Sequence, residues 1–199
     1  MESKKTIDIN ADLGEFQNAS ELTNELNILK YISSCSVACG GHIGNAKSIT
    51  LLLEESKKYG VTVGPHPSYP DKKGFGRRKI DISLKDLENS LRQQIQCFLE
   101  IADSLSTPVR HIKLHGALYN ETAKQEELAD LLIHVVDSLD LKVAIIGPKN
   151  SVLEDQVEKT DLLFLSEGFI DRRYREDYSL VDRGQDDALL KTIEEQIAQ

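Results

Sequence analysis

An excess of positive charge is missing from this sequence: 24 Lys and Arg stand against 33 Asp and Glu, a formal net charge of −9. Nucleic acids and anionic membranes both require a basic face, so neither is an expected partner. No apolar run approaches the length of a membrane span. The opening residues, Met1 to Ile7, hold no apolar segment of signal-peptide length before the first strand, so the cytoplasm is the expected compartment. Cysteine is scarce. Cys35, Cys39 and Cys97 do not make a disulfide framework, and the Cys35-x-x-x-Cys39 pair has no second pair at finger-like spacing to complete a zinc site. There is no G-x-G-x-x-G after the first strand, no phosphate-loop motif, no internal repeat and no linker.

What is present suits one soluble domain. The length of 199 residues supports a substantial core, and 40% hydrophobic with 29% charged residues is ordinary for a globular protein. Ile7 to Asp12 alternates with period two, placing Asp8, Asn10 and Asp12 on one face. A helix is expected over Glu21–Ser33. A short strand from Ser36 then opens into Gly40-Gly41-His42. Asn45 can cap a helix with Ile49, Leu52, Leu53, Ser56 and Tyr59 on one face, and Gly60 stops it. Val61–Val63 is a third strand. It runs into Gly64-Pro65-His66-Pro67-Ser68-Tyr69-Pro70-Asp71, where three prolines in six residues exclude both a helix and an interior strand.

Ser83-x-x-Asp86 reads as a capping box before the clearest helix, which carries Leu84, Leu87, Leu91, Ile95, Phe98, Ala102 and Leu105. Val109–Leu114 is the fourth strand, with His111, Lys113 and His115 sharing a face. Thr122-x-x-Gln125 is expected to cap a helix striped by Leu128, Leu131, Leu132, Val135, Val136 and Leu139. His134 lies beside that stripe as a structural or surface residue. Strands over Lys142–Pro148 and Asp161–Gly168 flank a short helix, Ser151–Lys159. A charge run, Asp171–Tyr178, and a helix over Asp187–Gln199 finish the chain.

Strands alternating with helices predict βα units and a parallel sheet, either open and doubly wound or closed as a barrel. Several strands keep apolar residues at one parity and polar ones at the other, which favours the barrel with Asp8/Asn10/Asp12, Thr62/Gly64/His66 and Lys113/His115 inward. Asp12, His42, His66, His115 and Glu167 all fall at C-terminal strand ends, where barrel enzymes keep their chemistry. Such a set suits metal binding or general acid–base catalysis. Lysine in a central strand is expensive to bury without a partner, so a functional role is expected for Lys113, although an exposed strand would explain it equally well.

Four segments carry a resemblance: Asn10-Ala11-Asp12-Leu13-Gly14-Glu15, Ala38-Cys39-Gly40-Gly41-His42, His66-Pro67-Ser68-Tyr69-Pro70-Asp71 with Gly74-Phe75-Gly76-Arg77-Arg78, and His115-Gly116-Ala117-Leu118-Tyr119-Asn120. In this order they resemble the LamB/YcsF, or lactam-utilisation, family, to which the A subunit of prokaryotic 5-oxoprolinase belongs. Asn45 stands where the family usually has Asp, and Leu114 where it usually has Pro. The chain stops at Gln199, ahead of the family's last strand with its His-Gly-Asp segment. The resemblance therefore implies a TIM-like (β/α) barrel of the glycoside hydrolase/deacetylase type, lacking its last strand or strands.

The resemblance also implies ATP-dependent opening of 5-oxoproline to L-glutamate, in partnership with B and C subunits. ATP is the expected co-substrate, with Mg2+, and no tightly bound metal is expected. Asp12, His42, His66, Lys113 and His115 are the implied catalytic residues. Asn10, Ser68, Tyr69, Asp71, Arg77, Tyr119, Asn120, Glu167, Asp171 and Arg172 are the implied substrate-binding ones. Two alternatives stay open. One is a metal-dependent deacetylase-like hydrolase of a carbohydrate amide, with ligands among Asp12, His42, His66 and His115; the other is a shortened, non-catalytic relative.

Overall fold

Six short strands follow one another in chain order in the computed structural model, which describes residues 6–176, 179–181 and 183–198. β1 (Asn10–Leu13), β2 (Ser34–Ala38) and β3 (Thr62–His66) form one sheet, and β4 (His111–Lys113), β5 (Ala144–Pro148) and β6 (Leu163–Glu167) form a second. The pairs β1–β2, β2–β3 and β4–β5 are all parallel. A parallel bridge between Val63 and Val109 joins the two sheets. Two backbone bonds reinforce it, from Arg110 N to the Val63 carbonyl at 3.1 Å and from His115 N to the Pro67 carbonyl at 2.9 Å. Helices α1 (Ala19–Ile28), α2 (Ala46–Tyr59), α3 (Leu84–Ser104), α4 (Gly116–Thr122), α5 (Glu126–Ser138) and α6 (Val152–Val157) make the crossovers. This is the winding of a (β/α) barrel; among the described residues no pairing joins β6 to β1, so the ring is not closed.

Period two sorts each strand. Ala11, Leu13, Cys35, Val37, Val61 and Val63 belong to the apolar layer with Ile49, Leu52 and Leu53 of α2 and Phe98 and Ala102 of α3. Fully burying one such leucine or phenylalanine contributes about 1.5–3 kcal/mol. The opposite parity carries Asn10, Asp12, Ser34, Ser36, His66, His111 and Lys113. The inner face of the arc is therefore polar, in place of the branched aliphatic layers that usually fill a barrel.

Local signals hold where capping chemistry decides. The Asn45 side chain accepts from the Lys47 and Ser48 amides to start α2, and Gly60 ends it at φ 68°. Ser83 caps α3, whose buried stripe is Leu87, Leu91, Ile95, Phe98 and Ala102. Other expectations need correction. The proline-rich stretch does contribute to an interior strand, because β3 runs through Gly64 and Pro65 to His66. The Val63 carbonyl bonds toward β4, so Pro65, of the same parity, turns its missing N–H to that side. The ladder toward β4 is sparse there, and β2 is served by Gly64 and His66 instead. Thr122 is not a cap; it closes the unforeseen short helix α4, and Gln125 precedes α5. The first helix ends at Ile28, five residues early, after which the chain turns at Leu29–Tyr31.

The chain divides into two units, Met1–Ser166 and Glu167–Gln199. Within the second, antiparallel bridges pair Arg172 with Leu189 and Tyr174 with Leu180. The helix expected there reduces to α7 (Ile193–Ala198), whose Glu195 accepts from the Lys191 and Thr192 amides just ahead of it. Asp177 and Tyr178 of the charge run, and Gln199, lie outside the described residues. No described helix is long and apolar enough to cross a membrane.

Candidate functional site

Four consecutive strands deliver ionisable side chains to one place. Asp12 lies in β1 and Glu15 just beyond it; His42 follows β2, His66 ends β3, Lys113 ends β4 and His115 follows it. Gly64 makes the convergence possible. A Cβ there would lie 2.0 Å from the His111 carbonyl oxygen, so only glycine lets β3 and β4 come this close. Glu15 is turned back into the arc by Gly14, which adopts φ +81°. The Glu25 carboxylate of α1 fixes that turn by accepting from the Gly14 amide at 2.6 Å and the Glu15 amide at 3.0 Å.

Glu15 is the hub. Its Oε1 lies 2.9 Å from His42 Nε2, 3.1 Å from His115 Nδ1 and 4.0 Å from His66 Nε2. The His42 and His115 rings stack at 3.7 Å and are nearly parallel, at 3°. His66 Nε2 is 3.0 Å from His115 Nδ1 and 3.4 Å from Asp12 Oδ2. Lys113 Nζ completes the cluster, 3.1 Å from Asp12 Oδ1 and 3.3 Å from Asn10 Oδ1. The three histidines and Lys113 are buried, whereas the Asp12 and Glu15 side chains are 32% and 20% exposed. The cluster therefore opens to solvent on its carboxylate side.

The outer edge of each ring is anchored. His42 Nδ1 meets Ser68 Oγ at 3.0 Å, His66 Nδ1 meets the Lys113 carbonyl at 2.7 Å, and His115 Nε2 meets the Phe75 carbonyl at 3.0 Å. Phe75 sits at φ 55°, a costly conformation for a large side chain, and one that the surrounding contacts must hold in place. Gln94 of α3 clamps Ser68, accepting from its amide at 3.0 Å and donating to its carbonyl at 2.9 Å. Deeper in the arc, Ser36 Oγ bridges Asn10 Oδ1 at 3.2 Å and His111 Nε2 at 3.2 Å.

Charge is distributed unevenly. Burial would raise Asp12, but His66 and Lys113 hold its carboxyl well below the usual range. Glu15 is also held low: burial opposes it, and hydrogen bonds from His115 and His42 outweigh that. His66 resists the neutralising effect of burial because Asp12 favours its proton, and its pKa is raised. Burial pushes His42 down to about 4 despite Glu15. His111 is pushed down to about 4 by burial and by Lys113. One proton-holding and one proton-shedding imidazole within a few ångströms is an arrangement suited to acid–base work.

Asp12, His42, His66, Lys113 and His115 are thus brought together, with Asn10 and Ser68 beside them. Tyr69 and Tyr119 are buried, close in sequence to Ser68 and His115. Asp71 accepts from the Gly74 amide at 2.8 Å and pairs with Arg78 at 3.4 Å, which fixes the loop. Arg77 lies 4.9 Å above the Phe75 ring, and the Asn120 amide donates to the Gly116 carbonyl at 3.2 Å. Glu167, Asp171 and Arg172 belong to the second unit. There Arg172, buried, donates to the Val181 carbonyl at 2.7 Å. His134 is exposed beside Glu88, as expected of a surface residue.

Sequence reasoning missed Glu15, Ser36 and Gln94 as parts of the site. Period-two counting stops at a positive-φ glycine, so it could not carry Glu15 inward; its place in the Asn10–Glu15 segment was the available signal. Gln94 could have been noticed as a polar residue on the apolar face of α3.

The comparisons with known proteins agree with one another. The A subunit of a 5-oxoprolinase from Campylobacter jejuni is 39% identical over 184 residues, covering 92% of this chain and 72% of the relative. Its counterpart of the same name from Bacillus thuringiensis is 35% identical over 195 residues, covering 98% and 77%. The crystal structure of a lactam utilization protein from Thermus thermophilus superposes with a TM-score of 0.86 at 28% identity, over 98% of this chain and 78% of that one. The LamB/YcsF family model matches residues 7–199, and the chain belongs to the LamB/YcsF family.

Proposed function

We propose that this chain is the A subunit of an ATP-dependent 5-oxoprolinase, which hydrolyses 5-oxo-L-proline to L-glutamate with conversion of ATP to ADP and phosphate. The observation that supports this most is the gathering of three imidazoles, two carboxylates and a lysine from four strand ends, beside relatives named for that activity. A five-membered lactam is a stabilised amide. Its opening needs an oriented water, a donor to the developing oxyanion and an acid for the departing nitrogen.

Lys113, held beside Asp12, supplies positive charge for the oxyanion. His66, whose proton Asp12 retains, serves as the acid for the ring nitrogen. Glu15 with His42 and His115 makes the floor on which water is oriented. Arg77 on the neighbouring loop meets the substrate carboxylate. ATP, with its Mg2+, enters as a co-substrate of the assembled enzyme, in which B and C subunits complete the activity. The sequence of this chain has no phosphate-loop segment.

The test is glutamate release and 5-oxoproline-dependent ATP hydrolysis by the chain assembled with candidate B and C subunits. His66→Gln and Lys113→Met are each expected to lower kcat by about 100-fold or more. Full activity in both variants would overturn the assignment.

A further inference from the structure

A neutral imidazole has one N–H and one lone pair. His66 Nδ1 and His115 Nε2 each face a backbone carbonyl, at 2.7 Å and 3.0 Å, and a carbonyl only accepts, so these nitrogens carry the protons. Ser68 gives its single hydroxyl hydrogen to the Tyr69 carbonyl at 2.8 Å, and therefore accepts from His42 Nδ1. His42 Nε2 and His115 Nδ1 are left with lone pairs turned inward, while His66 Nε2 keeps the proton that Asp12 favours. These two nitrogens, of His42 and His115, each face the same Glu15 carboxylate oxygen, at 2.9 and 3.1 Å. Lone pairs at such separations repel unless a cation lies among them.

We infer that Glu15, His42 and His115 form a binding site for one divalent transition-metal ion of the zinc class, with a fourth position open to solvent. Their three donor atoms all lie within 4.8 Å of one another. The two measured edges, 2.9 and 3.1 Å, are close to the roughly 3.3 Å edge of a tetrahedron with metal–ligand bonds of about 2.0–2.1 Å. Two imidazoles and one carboxylate are a zinc-type donor set, whereas Mg2+ and Ca2+ select oxygen ligands. The outer shell is also built. His42 leans on Ser68 and His115 on the Phe75 carbonyl, which fixes the tautomers that free Nε2 and Nδ1 for a metal. The partial exposure of Glu15 leaves room for a water on the fourth face. This departs from the expectation, drawn from family resemblance, that no metal is tightly held. It rests on the donor geometry and not on which amide the protein opens.

The experiment uses the full chain, stripped with a chelator and titrated with Co2+ by absorption spectroscopy, then with Zn2+ in competition. One Co2+ per chain, with the visible bands of a low-coordinate site and displacement by Zn2+, is the expected result. Glu15→Gln and His42→Gln should each weaken Co2+ uptake by more than about 100-fold, and Ser68→Ala, which keeps all three ligands, by roughly tenfold. His134→Gln, at the exposed surface, should change nothing. No saturable uptake by the stripped chain overturns the proposal, as does uptake that survives both ligand substitutions. A chain that takes up no metal yet releases glutamate with its partner subunits would remove the metal site and leave the hydrolase standing.

Discussion

His111 offers a quantitative check on the polar interior. It is 3% exposed, and burial together with the nearby Lys113 brings its pKa from 6.5 to about 4. A histidine depressed in the folded state binds its proton more readily when unfolded, so stability falls as the pH drops. The penalty vanishes well above the unfolded pKa, grows as the pH falls through it, and levels off below about 4. The full depression corresponds to about 3 kcal/mol, of which about 2 kcal/mol has accrued by pH ~5 and only about 0.2 kcal/mol by pH ~7.

Replacing His111 by Gln keeps an amide within reach of Ser36 Oγ and removes the titration. The assay is urea unfolding followed by circular dichroism near pH 7 and near pH 5, for parent and variant. The parent should lose more stability between the two conditions than the variant does, by about 2 kcal/mol. His42 contributes in the same direction but is present in both proteins, so the difference isolates His111. Equal losses would refute the reasoning, because they would mean that His111 is solvated or already charged in the folded protein.

Other substitutions test the frame of the site. Gln94→Leu removes both bonds to the Ser68 backbone, leaving a buried amide and carbonyl unpaired; a loss of about 2–4 kcal/mol in urea unfolding is expected. Gly64→Ala drives a methyl into the His111 carbonyl, a backbone atom that cannot step aside, and should cost more than about 3 kcal/mol or yield insoluble protein. Asn45→Ala removes the acceptor for two amides at the start of α2 and should lower stability by about 1 kcal/mol while leaving the histidine cluster intact, which ring-proton chemical shifts would show.

Much of this arrangement was legible in the sequence because strand parity and helix capping are local. Asn10 and Asp12, then Lys113 and His115, declared an inward polar face two residues at a time. Asn45 with Gly60 bracketed α2 through caps that act within one turn. Longer-range matters were not legible. That Pro65 can sit in β3 depends on how sparse the ladder toward β4 is, a property of the neighbour and not of the proline. That Glu15 is central depends on a left-handed glycine and on a carboxylate from α1 that holds the turn. α4 was missed because it is only seven residues long and begins at Gly116, a residue that disfavours helix by propensity.

The inner face also constrains how function can be tested. Its polar groups form a linked set, from Ser36 through Asn10, Lys113 and Asp12 to His66, His115, Glu15, His42, Ser68 and Gln94. In a buried network, removing one partner strands another, and the orphaned group costs more than the lost bond contributed. An alanine at His66 would leave the Lys113 carbonyl without its donor and open a void beside His115, so lost activity could reflect a displaced floor. A glutamine there can still donate to that carbonyl while lacking the titratable nitrogen. Methionine at position 113 fills the lysine's length without its charge, and Asp12 keeps His66 and solvent. If Lys113→Met unfolds at the same urea concentration as the parent yet loses turnover, the charge acts in the reaction; if stability and turnover fall together, its role is to neutralise Asp12.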